Sequence, residues 1–151
     1  MLKCKRLFVS DMDGTFYLGN TLLPGSLDFA MAVHRLGARL VFLTNNSSCT
    51  PEEYIRKLEK MGVDRKLFEV YTSGEATISF LKRDFPKKKA FLLSTPSVRE
   101  MFEKGGVMLD DFDPEVLVLA FDTSITYEKI RRAALLIRQG IPYVASHPDI
   151  N

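Results

Sequence analysis

Cysteine and histidine are scarce in this chain, two of each in 151 residues, and their scarcity removes several kinds of protein at once. Cys4 and Cys49 cannot make the disulfide framework of a small secreted domain, and no Cys/His spacing of a metal-binding type occurs. The pair points instead to a reducing compartment. No apolar run approaches the roughly 20 residues of a membrane-spanning helix. The short apolar segment after Met1-Leu2-Lys3-Cys4-Lys5-Arg6 ends in acidic residues, so a signal peptide's apolar core is lacking. Neither sign of charge dominates: a net charge of +2 and a pI near 8.5 are too mild for a nucleic-acid surface, which gathers Lys and Arg on one face. The runs Lys87-Lys88-Lys89 and Arg131-Arg132 read as solvated surface. The expectation is a soluble, cytoplasmic protein that engages neither nucleic acid nor membrane.

What is present is ordinary globular material, 46% hydrophobic and 26% charged, with no low-complexity tract and no repeat in residue identity. Its pattern alternates between strand and helix. Leu7-Phe8-Val9 reads as a strand, and Phe16-Tyr17-Leu18 with Thr21-Leu22-Leu23 flank Gly19-Asn20 as a two-residue hairpin does. Leu27/Met31 and Phe29/Ala32/Val33/Leu36 form stripes of a helix buried on more than one side and closed by Gly37, before a strand over 39–43. Thr50-Pro51-Glu52-Glu53 has a cap, a first-turn proline and a glutamate three residues after the cap, and so opens a helix that stops at Gly62. Val70 to Ser73 leads into a helix near 75–83 with Ala76, Ile78, Phe80 and Leu81 inward, and Pro86 ends that unit. The pattern restarts with strands at 90–94, 115–121 and 142–146 and helices at 96–104 and 126–139. The fold class is therefore α/β with parallel sheets.

Chemistry concentrates where the first strand ends. Val9-Ser10-Asp11-Met12-Asp13-Gly14-Thr15 sets two carboxylates two residues apart, a spacing that in extended chain turns both to one side. Such a pair is costly without a counter-charge, and a hard oxygen-liganded cation such as Mg2+ supplies it while neutralising a phosphate ester. Taken alone, two solvated aspartates in an Asx-type turn would be the bland explanation. An EF-hand loop is excluded, because Phe16 stands at its glycine position and Leu22 at its closing glutamate.

Asp11, Met12, Asp13, Gly14 and Thr15 after a strand match the D-x-D-G-T motif, so the sequence resembles the haloacid dehalogenase-like phosphatase superfamily. Leu40 to Ser48 resembles the family's second motif, a strand ending in a Thr or Ser that contacts the transferred phosphoryl group. The Thr44-Asn45-Asn46-Ser47 wording, with Leu23-Pro24-Gly25 before the first helix, resembles the branch containing NagD-type sugar phosphatases, nitrophenyl phosphatases and pyridoxal phosphate phosphatases. Thr126 to Lys129 and Ala145-Ser146-His147-Pro148-Asp149 resemble segments of that branch's α/β cap. The resemblance implies a Rossmann-like core and an inserted cap, both incomplete, with residues 1–86 the front of the core and 87–151 the front of the cap.

It also implies roles. Asp11 is the nucleophile and Asp13 the acid and base, and Mg2+ takes an Asp11 carboxylate oxygen and the Asp13 carbonyl. Thr44 and Asn45, beside Asn46, hold phosphoryl oxygens, and His147 and Asp149 contact the leaving group. The partner implied is a small phosphorylated metabolite such as a sugar phosphate, and the branch's habit of pairing through caps implies a homodimer. The family's lysine and second acidic motif follow the cap and are not found up to Asn151. Slow or absent hydrolysis by the 151-residue chain is the consequence expected, since one electrostatic contributor of this kind is worth about 3 to 4 kcal/mol. Two other readings remain open: a catalytically dead remnant that binds phosphate ligands or a partner through an open sheet edge, and a phosphotransferase or mutase using the same nucleophile. Among the remaining candidates, Cys49 reads as a small half-buried thiol and His34 as structural. Asp122 carries a weaker claim to the site than His147, against a turn before Thr126.

Overall fold

The computed structural model describes residues 4–147. Packing divides the chain into two units, Met1–Thr44 with Pro51–Tyr71, and Asn45–Thr50 with Thr72–Asn151.

The first unit opens with β1 (Leu7–Ser10), whose chain then folds into a turn closed on one atom: the Met12 carbonyl accepts from the amides of Thr15, Phe16 and Tyr17 at 3.3, 2.9 and 3.1 Å. Gly14, at φ 75°, supplies the left-handed residue this turn needs. The expected hairpin follows as β2 (Tyr17–Leu18) and β3 (Thr21–Leu22), paired antiparallel with Tyr17 opposite Leu22. Helix α1 (Ser26–Arg35) returns the chain to β4 (Arg39–Thr44), which pairs with β1 in parallel from Leu7 opposite Arg39 to Ser10 opposite Phe42. Then come α2 (Pro51–Lys60), a 3-10 turn at Arg65–Leu67 and β5 (Glu69–Thr72), giving a sheet of order β1-β4-β5. The Phe42 ring lies in the core, 4.5 Å from Phe16 and 5.8 Å from Phe68 between centroids. One expectation fails here: α1 buries only Ser26, Ala30 and Val33, while Phe29 and Leu36 stay exposed. Phe29 still meets Phe8 of β1 edge-on, with ring centroids 6.1 Å apart, and Leu27, Met31 and Ala32 are half-buried.

The first helix of the second unit follows β5 without a loop. Thr72, the last residue of β5, caps α3 (Ser73–Asp84) in a capping box with Glu75. That cap starts the helix two residues before the expected position, and Gly74, Thr77, Ile78 and Leu81 become its buried stripe, with Ala76 left outside. Strand β6 (Ala90–Leu93), helix α4 (Pro96–Lys104), strand β7 (Val116–Leu119), helix α5 (Tyr127–Arg138) and strand β8 (Tyr143–Ala145) complete a parallel sheet of order β6-β7-β8. Alternation along β6 feeds two cores. Ala90 and Leu92 join Ile78, Leu81, Val98 and Phe102 from α3 and α4, while Phe91 and Leu93 join Ala133 and Leu136 from α5. Where α3 approaches α4, a Cβ on Gly74 would stand 2.6 Å from the Met101 methyl, the free end of a flexible side chain. Among the described residues no helix is long and apolar enough to cross a membrane.

Candidate active site

Asp11 follows directly on β1 and Thr44 ends β4, so these two side chains stand at the carboxyl ends of adjacent parallel strands. That edge is where open α/β sheets place their ligands. Between the aspartates Met12 is fully buried while Asp11 and Asp13 are exposed, so the alternation anchors the turn in the core and turns both carboxylates outward.

Two residues that the sequence did not single out bracket Asp13. The buried Tyr17 donates its phenol to Asp13 Oδ2 at 3.0 Å, and Lys57 on α2 lies 4.0 Å from Asp13 Oδ1 and 4.0 Å above the centre of the Tyr17 ring. Burial, and then the negative charge of Asp13, push the Tyr17 phenol well above its ordinary range, so it remains a donor. Tyr17 lies four residues from Asp13 across the tight turn, a proximity the turn itself could have disclosed. Lys57 is distant in sequence and gave no local signal. It also lines an open groove of about 460 Å3 with Asn20, Glu53, Arg56 and Lys60.

Asn45, Asn46 and Ser48 belong to the segment that packs with the second unit. Asn46 Oδ1 accepts from the amide and hydroxyl of Ser48 at 3.0 and 2.7 Å, an Asx turn that shapes the loop. The Asn45 carbonyl accepts from Ser73 Oγ at 2.9 Å and faces His147 Nδ1 at 3.0 Å. The His147 ring stacks on Phe121 at 5.0 Å, and among the described residues its buried Nε2 has no partner. Asp149 lies outside the described residues. Cys49 is half-buried, 3.7 Å from Ser48 Oγ, and His34 is exposed in the last turn of α1. Asp122 is consumed structurally: Oδ1 accepts from the amide and hydroxyl of Ser124, and Oδ2 from Lys129 Nζ at 2.6 Å.

The donor chemistry of the first turn fits a hard cation. Two exposed carboxylates and backbone carbonyls are all oxygen, although among the described residues no cluster of three or more His, Cys, Asp or Glu side chains could enclose a metal by itself.

Comparison with known proteins decides the lineage, for the family described as haloacid dehalogenase-like hydrolase matches over residues 8–108. The chain belongs to the haloacid dehalogenase-like hydrolases. Within them it is NagD-like: it is 30% identical to an acid sugar phosphatase of Staphylococcus haemolyticus over 95% of this chain and 55% of that one. A 4-nitrophenylphosphatase structure from Thermotoga maritima superimposes with a TM-score of 0.92 at 46% identity, over 99% of this chain and 57% of that one. NagD from E. coli gives 0.83 at 28% identity, over 96% and 57%. The chain thus spans little more than half the length of these relatives. As a haloacid dehalogenase-like hydrolase it has the α/β architecture expected from its sequence.

Proposed function

We propose that this chain is the front part of a Mg2+-dependent phosphatase acting on a small phosphorylated metabolite, a sugar phosphate or a compound of similar size. The observation that carries the reading is the placement of Asp11 and Thr44 at neighbouring strand ends, with Asp13 exposed as Asp11 is. In the reaction so read, an Asp11 carboxylate oxygen attacks phosphorus and the bond to the leaving oxygen breaks as Asp13 delivers its proton there. Water then attacks the aspartyl phosphate, losing a proton to Asp13, and Asp11 returns to its carboxylate. Tyr17 and Lys57 hold Asp13 in one orientation through this exchange, and Thr44 with Asn45 and Asn46 donates to the equatorial oxygens where charge gathers. Mg2+, held by the Asp11 carboxylate and the Asp13 carbonyl, would supply the positive charge that lets two anions meet.

In this reading residues 1–86 are the front of the catalytic core and residues 87–151 the front of a cap that selects the leaving group through His147 and Asp149. Helix α3, before residue 86, packs with the second unit. A cytoplasmic setting and a homodimer formed through the cap belong to the same proposal. The names of the relatives, an acid sugar phosphatase and a 4-nitrophenylphosphatase, support the substrate class.

The test is Mg2+-dependent release of phosphate from para-nitrophenyl phosphate. Slow release by the 151-residue chain that Asp11→Asn abolishes is the expected result. Release undiminished in Asp11→Asn would overturn the assignment of the nucleophile.

A further inference from the structure

The second sheet holds at its carboxyl edge a piece of its own chain. Each of its strands delivers one contact from the second residue beyond its end: Thr95 after β6, Phe121 after β7 and His147 after β8. Thr95 Oγ1 donates to the Ser48 carbonyl at 2.9 Å, the Phe121 amide donates to Ser47 Oγ at 2.8 Å, and His147 Nδ1 meets the Asn45 carbonyl at 3.0 Å. The position where an open parallel sheet ordinarily receives a ligand is here occupied by the loop 45–50. Ser73, the first residue of α3, adds a further donor to Asn45.

We propose that His147 is a positioning residue for this loop, holding the backbone of Asn45 in the shape that presents Asn45 and Asn46 to a phosphoryl group. The proposal rests on the reading of that loop as a phosphoryl holder. A carbonyl oxygen can only accept, so Nδ1 carries the proton, and the ring's orientation follows from this bond together with the stack on Phe121, whose planes are 18° apart. Ser73 Oγ donates to the same oxygen, so two hydrogen bonds restrain the peptide between Asn45 and Asn46. His147 thereby acts through Asn45, a role different from contact with a leaving group, and one that leaves Nε2 open.

The pair of variants that separates these roles is His147→Phe, which keeps the stack and removes the donor, and His147→Gln, whose amide restores a donor. In the isotopically labelled chain, His147→Phe should speed amide exchange across residues 45–50 roughly fivefold and weaken binding of inorganic phosphate by a similar factor, the worth of one ordinary hydrogen bond. His147→Gln should recover most of both. In the wild-type chain a scalar coupling from Nδ1 to the Asn45 carbonyl carbon reports the bond itself. Thr95→Val, which removes the donor to Ser48 with little change of shape, tests the same clamp independently should His147→Phe lose its fold. Unchanged loop exchange in His147→Phe, with phosphate still shifting the Asn45 and Asn46 amides, would overturn the positioning role and leave the phosphatase reading standing. Faster loop exchange in that variant, with no response of those amides to phosphate in the wild type, would retain the clamp and sink the phosphoryl-binding reading.

Discussion

The two three-stranded sheets are buried in opposite ways. In the first, Leu7 and Val9 on β1 and Leu43 on β4 are 51%, 54% and 43% exposed, while Leu40 and Phe42 on the alternate positions are sealed. In the second, all of β6 and the first three residues of β7 are buried, because α3 and α4 lie on one face and α5 on the other. The strand sequences do not announce this difference. Leu7-Phe8-Val9 is as apolar as Ala90-Phe91-Leu92, and what separates them is the number of helices that return over each face.

The largest effect expected from that contrast is at Phe102. Its ring is fully buried between α4 and the second sheet, and Phe102→Ala should destabilise the protein by about 3 to 5 kcal/mol in urea unfolding, since it opens a cavity as well as losing transfer free energy. A cost under about 1 kcal/mol would mean that this core repacks freely, contrary to the density of ordinary interiors.

The ion pairs repeat the contrast. Asp122 is buried and bonded to Lys129 at 2.6 Å, whereas Asp13 and Lys57 stand 4.0 Å apart at a half-exposed site. Burial acts to raise the Asp122 carboxyl, but the bonds from Lys129 and Ser124 outweigh it and hold the group below its ordinary 3.8. A carboxylate depressed on folding adds stability that is fully present above its unfolded value and lost as pH falls through the folded one. Asp122→Asn should therefore cost about 2 kcal/mol at neutral pH, below the 3 to 5 of a fully buried pair because the Lys129 side chain is 32% exposed. The gap between wild type and variant should close as the pH falls below 3.8, measured by acid unfolding of both. A gap that stays constant would show that packing, not charge, carries the contribution.

How much of this could be read beforehand depended on how local the cause was. The Asp11-to-Thr15 turn, the hairpin at Gly19 and the alternation of strands and helices are set by neighbours in sequence, and they stand where the residues placed them. The α/β fold was legible for the same reason. Positions decided by distant partners were not: Ala76 turned outward because a cap at Thr72 set the face of α3, and Phe29, edge-on to Phe8 of β1, stays 41% exposed. In the candidate site, Asp11, Asp13 and Thr44 were visible as a motif. Lys57 came to Asp13 only through the packing of α2, and Ser47, Thr95 and Phe121 met only through the topology of the second sheet.

The smallest expected effect is the sharpest test of the contrast. Val9→Thr replaces one β-branched side chain by another, so strand propensity is retained and the change reports only how dry the position is. Introduced in a sealed core, a hydroxyl without a partner costs about 1 to 3 kcal/mol. At Val9, 54% exposed on the edge strand, water serves the hydroxyl, and the unfolding free energy should move by less than about 0.5 kcal/mol. The companion substitution Val118→Thr, at a fully buried position of β7, should fall in the larger range. Equal costs at the two positions would mean that the Val9 face is covered in solution, by association or otherwise, and light scattering over a concentration series would then distinguish association from a change within the single chain.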